Sequence, residues 1–288
     1  MLPILLPFTF AVLWASSYAA AKIGLADITP YAFVAIRLSI AALAAILIML
    51  ARRAHWPAAR RWPHLMIGGA LVHGLALSTA HAALVTVGAT ATALVHAFHP
   101  VLTAALGVLL LGEIFRWWQW VGAALGLLGV LLGVPFGASE GVLTLLALSL
   151  FGLSGGTLYI KRFCAEVPPF EATTVQLVGG AIFAVLAMAL VETPHVHWTA
   201  SLVGAMTWNI MLMSIGGMAL YNFILMHYGA GRGASAFFVV PGAAALIAWF
   251  ALGERLSPLT IVGLAAATCG VALVWWRPRT RSEPLPPL

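Results

Sequence analysis

Residues Gly88 to Leu132 read GATATALVHAFHPVLTAALGVLLLGEIFRWWQWVGAALGLLGVLL. Residues Gly229 to Leu273 read GAGRGASAFFVVPGAAALIAWFALGERLSPLTIVGLAAATCGVAL. The two stretches align without a gap at an offset of 141 residues. Gly88 meets Gly229, Ala93 meets Ala234, Pro100 meets Pro241, and Leu111-Gly112-Glu113 meets Leu252-Gly253-Glu254. Val121-Gly122 meets Val262-Gly263, and Gly129-Val130 meets Gly270-Val271. Each copy is an apolar run broken by one proline, a Gly-Glu turn, and a second apolar run. Twice the offset nearly equals the chain length of 288, so the whole architecture is expected to be a duplication.

Composition names the solvent. The chain is 62% hydrophobic and 8% charged, where a soluble domain carries roughly 25% charged residues. Runs of about 20 apolar residues, enough to cross a bilayer, follow one another almost end to end. The expected surroundings are therefore lipid. The net charge of +6 does not imply nucleic acid, because the basic residues sit in short loops and the C-terminal tail, where they set orientation. Cys164 and Cys269 lie in different halves, and neither a disulfide nor a metal spacing is expected. The first run starts at Pro3 without a basic n-region, so it is expected to stay as a membrane helix.

Breakers divide the chain into ten expected spans, near 4–22, 31–50, 64–81, 87–111, 117–134, 141–160, 171–191, 203–226, 233–252 and 258–276. Val167-Pro168-Pro169 and Thr193-Pro194 cannot continue a helix. Ser257-Pro258 reads as an N-cap followed by proline at the first helical position. Residues 1–135 and 136–277 are expected to be five-helix repeats, and 278–288 a cytoplasmic tail. Eleven basic residues fall on the side of the termini and two, Lys22 and Arg255, on the other, which places both termini in the cytoplasm. Five spans per half is an odd number, so the halves cross the membrane in opposite directions. Inverted repeats of this kind place a substrate site at the midplane between them.

The polar residues inside the spans are the candidates for chemistry. Thr92, His96, His99 and Thr103 are spaced to share one face of span four, and a polar face in lipid should meet a cavity or another helix. Pro100 and Pro241 each leave a carbonyl without its helical donor, giving kinks suited to gating. His73 and His81 share a face of span three. Trp14, Ser16, Ser17 and Tyr18 in span one, and Ser154 and Tyr159 in span six, join the candidate pocket. So do Ser214, Tyr221 and Asn222 in span eight, and Phe237. A serine or glycine in a membrane helix is more often a packing residue than a ligand. Glu113 and Glu254 are expected to hold a turn between helices or to pair with Arg116 and Arg255. Arg37, about two turns inside span two, is expected to pair with Asp27 or helix-end carbonyls, or to snorkel outward. With no carboxylate at mid-span an organic cation is disfavoured, and with Arg37 as the one mid-span cation so are phosphorylated solutes. A neutral, zwitterionic or aromatic small molecule remains.

Leu13-Trp14-Ala15-Ser16-Ser17, then Lys22-Ile23-Gly24-Leu25, Pro30 and Arg37, resemble the start of EamA-type proteins. So does Leu252-Gly253-Glu254-Arg255-Leu256-Ser257-Pro258, with Pro241 upstream and Gly263 and Gly270 downstream. These belong to the drug/metabolite transporter superfamily, and the resemblance covers nearly the whole chain. It implies an all-α membrane protein of ten helices in two inverted five-helix repeats around a central cavity. On the histidine and aromatic pocket, YddG-like aromatic amino-acid exporters look most similar. Phe151-Gly152-Leu153-Ser154-Gly155 departs from the tryptophan motif of the first half, and His96 and His99 have no counterparts at Phe237 and Val240, so the cavity is expected to be asymmetric. The expected function is export of amino acids, or of drugs or other metabolites, by a monomer in the bacterial inner membrane, without cofactor or metal. If its histidines titrate, export could be coupled to protons. A remote alternative is a membrane-embedded enzyme with a metal on His73, His81, His96 and His99. That reading lacks an HExxH motif and a carboxylate base. A scaffold protein is a third. No ATP-binding P-loop is present.

Overall fold

The computed structural model of the chain describes residues 2–112, 114–217, 220 and 230–276; side chains are described except at 2–4, 111, 230–238 and 275. The regular secondary structure of the described residues is helical, apart from one isolated β-bridge between Ile28 and Val196. The helices are α1 (Leu2–Gly24), α2 (Pro30–Ala51), α3 (Trp62–Gly69), α4 (Ala76–Ala97), α5 (His99–Leu111) and α6 (Trp117–Gly133). They continue as α7 (Glu140–Cys164), α8 (Pro169–Val191), α9 (Ala200–Thr207), α10 (Ala230–Leu252) and α11 (Pro258–Trp275). π-helical turns join α3 to α4 over Ala70–Leu75 and extend α9 over Trp208–Gly217.

Five helical stretches among the described residues are long and apolar enough to cross a membrane, and three shorter ones are also apolar. Their outward faces carry large apolar side chains, such as Leu109, Leu131, Leu190 and Phe250, all exposed. Such an apolar exterior is stable only in lipid, so the chain is a multi-pass membrane protein.

The stretch Ala59–Leu110 is 52 residues long. As one rod it would reach about 78 Å, more than twice the hydrocarbon thickness. Gly88 divides it. Its backbone lies at φ 84, ψ 175, inside the nominal range of α4, a conformation that other residues reach only with strain. The third run therefore extends to Val87 rather than ending near 81, because nothing before Gly88 stops it. A second interruption falls at Phe98, just before Pro100, which occupies the first turn of α5. Pro241 is carried inside α10.

The bend at Gly88 is bracketed by charge. Lys22 Nζ donates to the Leu84 and Val85 carbonyls (2.9 and 2.6 Å), where one helical segment ends. The Glu254 carboxylate accepts from Ala89 N (2.7 Å), Thr90 N (3.2 Å) and Thr90 Oγ1 (2.8 Å), where the next begins. A cation at a helix C-terminus and an anion at an N-terminus both match the backbone dipole. Glu254 thus holds a turn as expected, but one far away in sequence rather than its own, and no pair with Arg255 forms. Glu113, its counterpart in the first copy, lies outside the described residues. Glu192 repeats the device on α2, accepting from Ala32 N (2.7 Å), Tyr31 N (3.3 Å) and Thr29 Oγ1 (2.7 Å).

Small residues let backbones touch where apolar burial gives no drive between helices. Along α6 and α11, a Cβ added at Gly129 would lie 2.6 Å from the Gly263 carbonyl oxygen, and one at Gly122 would lie 2.6 Å from that of Gly270. Gln119 Nε2 donates to the Val274 carbonyl across the same seam (2.9 Å). Ser139, Thr199 and Ser257 accept from Val142, Leu202 and Thr260 N and start α7, α9 and α11.

Candidate functional site

A cavity of about 250 Å³ lies inside the bundle, walled by α1, α2, α4, the start of α5, α7, α8 and the two π turns. Ligand pockets for drug-sized molecules run from about 300 Å³ upward, so this one suits a small metabolite. Its wall is mostly apolar, with Phe10, Leu38, Leu77, Leu153 and Met213 among the lining side chains. Into that wall the fold places Trp14, Ser17, Tyr18, His73, His81, Thr92, His96, His99 and Ser214.

The cavity includes a chain of hydrogen bonds. Trp14 Nε1 donates to Tyr18 Oη (3.1 Å), and Tyr18 Oη lies 2.7 Å from His96 Nδ1. On its far side His96 Nε2 pairs with Ser149 Oγ, and in the neutral ring one of the two nitrogens donates while the other accepts. Ser149 is fully buried and off the cavity wall. His96 is therefore held by both ring nitrogens. His99 is held too, with Ser154 Oγ and Thr103 Oγ1 each 3.1 Å from its Nδ1. Ser17 and Thr92 spend their hydroxyl protons on their own helices, on the Trp14 and Gly88 carbonyls. His81 differs: its Nδ1 lies 2.7 Å from the Leu77 carbonyl, while its Nε2 is buried without a partner among the described residues. His73 Nε2 is likewise buried without a partner.

Two candidates fall elsewhere. Tyr159 is off this wall: its hydroxyl lies 2.8 Å from His64 Nδ1, and its ring packs on Phe163. Ser154 acts one step back, through His99. Both miss because face-sharing within α7 does not say which neighbour that face meets. Tyr221 and Asn222 lie outside the described residues, as does the side chain of Phe237. The four histidines do not gather as a metal-ligand set, and no such group of three occurs among the described residues.

Arg37 is the main departure. It is buried, 5% exposed, and lines the cavity instead of snorkelling. Its Nη1 donates to Asn209 Oδ1 (2.9 Å) and its Nε to Ser214 Oγ (3.3 Å). Asp27 is occupied elsewhere, accepting from Thr199 Oγ1 (2.6 Å). Gln176 also lines the cavity, and Asn209 sits behind it. Their signal was present in the sequence, since an amide inside a membrane span calls for a partner or a cavity.

A second groove of about 750 Å³ opens between α4–α7. Apart from the Trp120 indole, its lining offers apolar surface such as Phe98, Leu127, Phe136 and Phe151. It has the chemistry of an acyl-chain surface rather than of a polar solute site.

Comparison with known proteins follows the same line. The EamA-like transporter family model matches residues 1–134 and again 140–276. The chain belongs to the EamA-like transporter family. Transporter YdfC of Bacillus subtilis, described as uncharacterized, is 24% identical over 269 residues, covering 91% of this chain and 87% of that protein. A probable terminal-alkyne amino-acid exporter of Streptantibioticus cattleyicolor is 25% identical over 270 residues, covering 91% of this chain and 90% of its own. A solved crystal structure shares the fold with a TM-score of 0.67 at 23% identity, over 94% of this chain and 95% of that one. An EamA-type membrane transporter implies a small-molecule substrate.

Proposed function

We propose that this chain is a secondary exporter of amino acids, aromatic or large neutral, or of similar small metabolites. It would work by alternating access in the plasma membrane, with both termini cytoplasmic. The observation that carries the reading is the interior cavity, whose polar wall is contributed by both halves of an EamA-type chain. Tyr18, Arg37 and His96 come from the first half, and Gln176 and Ser214 from the second. The amino-acid substrate draws on the named exporter relative and on the aromatic part of the wall.

Ten spans in two inverted repeats fit the backbone. The π turn at Ala70–Leu75, shifted by the 141-residue offset, falls inside the π turn at Trp208–Gly217. Gly112 and Gly253, also offset partners, share a left-handed φ of 68° and 67°. Breaks at Gly88 and Phe98 give the helices places to bend as access alternates.

Counterflow tests this. Proteoliposomes loaded with unlabelled phenylalanine should accumulate labelled phenylalanine faster than unloaded ones. Exchange no faster than in protein-free vesicles, across aromatic and large neutral amino acids, would refute the amino-acid reading.

A further inference from the structure

We propose that the cavity is built for a solute bearing one carboxylate, which docks on the Arg37 guanidinium, and an N–H donor, which His81 Nε2 accepts. This rests on the transporter reading above and assigns its binding groups; the pair describes an α-amino acid in its zwitterionic form.

The argument starts with an uncompensated charge. A guanidinium stays protonated in a protein, and a charge buried at membrane depth is expensive unless paired. Among the described residues no carboxylate pairs with Arg37. Glu192 and Glu254 are spent on helix N-termini, Asp27 on Thr199, and Glu166 on Arg61. The partners Arg37 does have are neutral, and they position it. Asn209 is itself fixed by Nδ2 donating to the Ala205 carbonyl (3.1 Å), and Ser214 Oγ donates to the Asn209 carbonyl (3.1 Å). Only two of the five guanidinium N–H donors are taken up by these contacts. What is left is a fixed cation on a cavity wall with donors to spare. A planar fork of this kind matches a carboxylate in two parallel hydrogen bonds. One guanidinium without a second cation beside it favours a monoanion over a phosphate dianion.

His81 supplies the opposite polarity. Its Nδ1–H donates to the Leu77 carbonyl (2.7 Å), so in the neutral ring the lone pair is on Nε2. A protonated His81 would add a second unpaired cation to the cavity that already holds Arg37. Nε2 is therefore a buried acceptor with no partner among the described residues. Buried acceptors are normally satisfied, and because His81 belongs to the same cavity wall as Arg37, a solute bound there is the candidate donor. An ammonium or amide N–H fills that role. The apolar wall, with Phe10, Trp14 and Met213, takes the side chain.

The test uses the full-length protein in proteoliposomes loaded with phenylalanine and three external probes competing against labelled phenylalanine. These are phenylalanine, 3-phenylpropionate (no amine) and phenethylamine (no carboxylate). Phenylalanine should compete best, 3-phenylpropionate more weakly, and phenethylamine least. Arg37→Gln should raise the KM for phenylalanine about 10- to 150-fold, the range for losing hydrogen bonds to a charged group. His81→Phe should narrow the gap between phenylalanine and 3-phenylpropionate. If phenylalanine is exchanged but phenethylamine competes equally, or folded Arg37→Gln keeps its KM, the anchor is overturned while the amino-acid reading stands. If no amino acid is exchanged yet labelled 3-phenylpropionate is transported in an Arg37-dependent way, the anchor stands and the amino-acid reading falls. If no probe is bound or moved, both fall. The probe series on the unsubstituted protein decides the matter even if Arg37→Gln does not fold.

Discussion

Substituting Gly88→Ala should destabilise the protein through two separable effects at one point. The first is backbone strain. At φ 84, ψ 175 an alanine sits in a region that costs about 1–3 kcal/mol. The second is the loss of a helix cap. A Cβ at this position would lie 2.6 Å from Glu254 Oε1 and 3.1 Å from its Cδ. The carboxylate can retreat, but only by giving up the Ala89 and Thr90 amides. A lost N-terminal cap costs about 0.5–2 kcal/mol. Together the effects amount to about 2–5 kcal/mol, or a fall in melting temperature of about 4–10 °C for a chain of this size. Thermal unfolding of purified protein in detergent reads this directly. Gly112→Ala serves as the control for strain alone, because Gly112 also has positive φ (68°) but nothing within 4 Å of an added Cβ. It should shift the melting temperature by less. Glu254→Gln isolates the cap. Because both substitutions act on one contact, the double variant should lose less than the sum of the single losses. A Gly88→Ala protein that melts with the wild type would refute the account of the junction. Strictly additive losses would refute the claim that Gly88 and Glu254 share it.

Other consequences follow from the same contacts. Lys22→Met removes the donor to the Leu84 and Val85 carbonyls, and should lower the melting temperature by less than Gly88→Ala because a partly exposed cation contributes less than a strained backbone. Tyr18→Phe leaves buried His96 without its Nδ1 partner and should cost about 1–3 kcal/mol in the same unfolding assay; an unchanged melting temperature would dissolve the Trp14–Tyr18–His96–Ser149 chain. Gly129→Leu, whose side chain would enter the α11 backbone, should abolish recovery of monodisperse protein in size-exclusion chromatography. Gly155→Ala, with open space around it, should be recovered like wild type, and equal recovery of both would contradict the α6–α11 seam. Glu166→Gln breaks an exposed pair with Arg61 and should change stability by under about 1 kcal/mol at any salt concentration.

How far the sequence reaches is clearest residue by residue. Sixty-two per cent hydrophobic composition and the Gly-Glu punctuation repeated at one offset require helices in lipid, because only internally hydrogen-bonded elements survive there. The helical period also put Thr92 and His96 on one face, since both lie on α4, and His99 reaches the same cavity wall from α5, beyond the break at Phe98. Arg37, Glu254 and Tyr159 show where the period stops helping. The partners of Arg37 lie at Asn209 and Ser214, 172 and 177 residues along the chain, and the partner of Glu254 lies 165 residues back at Ala89. Tyr159 shares α7 with Ser154, yet it meets His64 rather than the cavity. Sequence determined the solvent, the helices and the stock of polar groups within them. Tertiary structure alone decided which of those groups meet, because a helix fixes the angles between its own side chains but not its rotation against its neighbours. That rotation is set by glycine contacts such as Gly129 on Gly263, and by helix-end carboxylates reaching across the bundle.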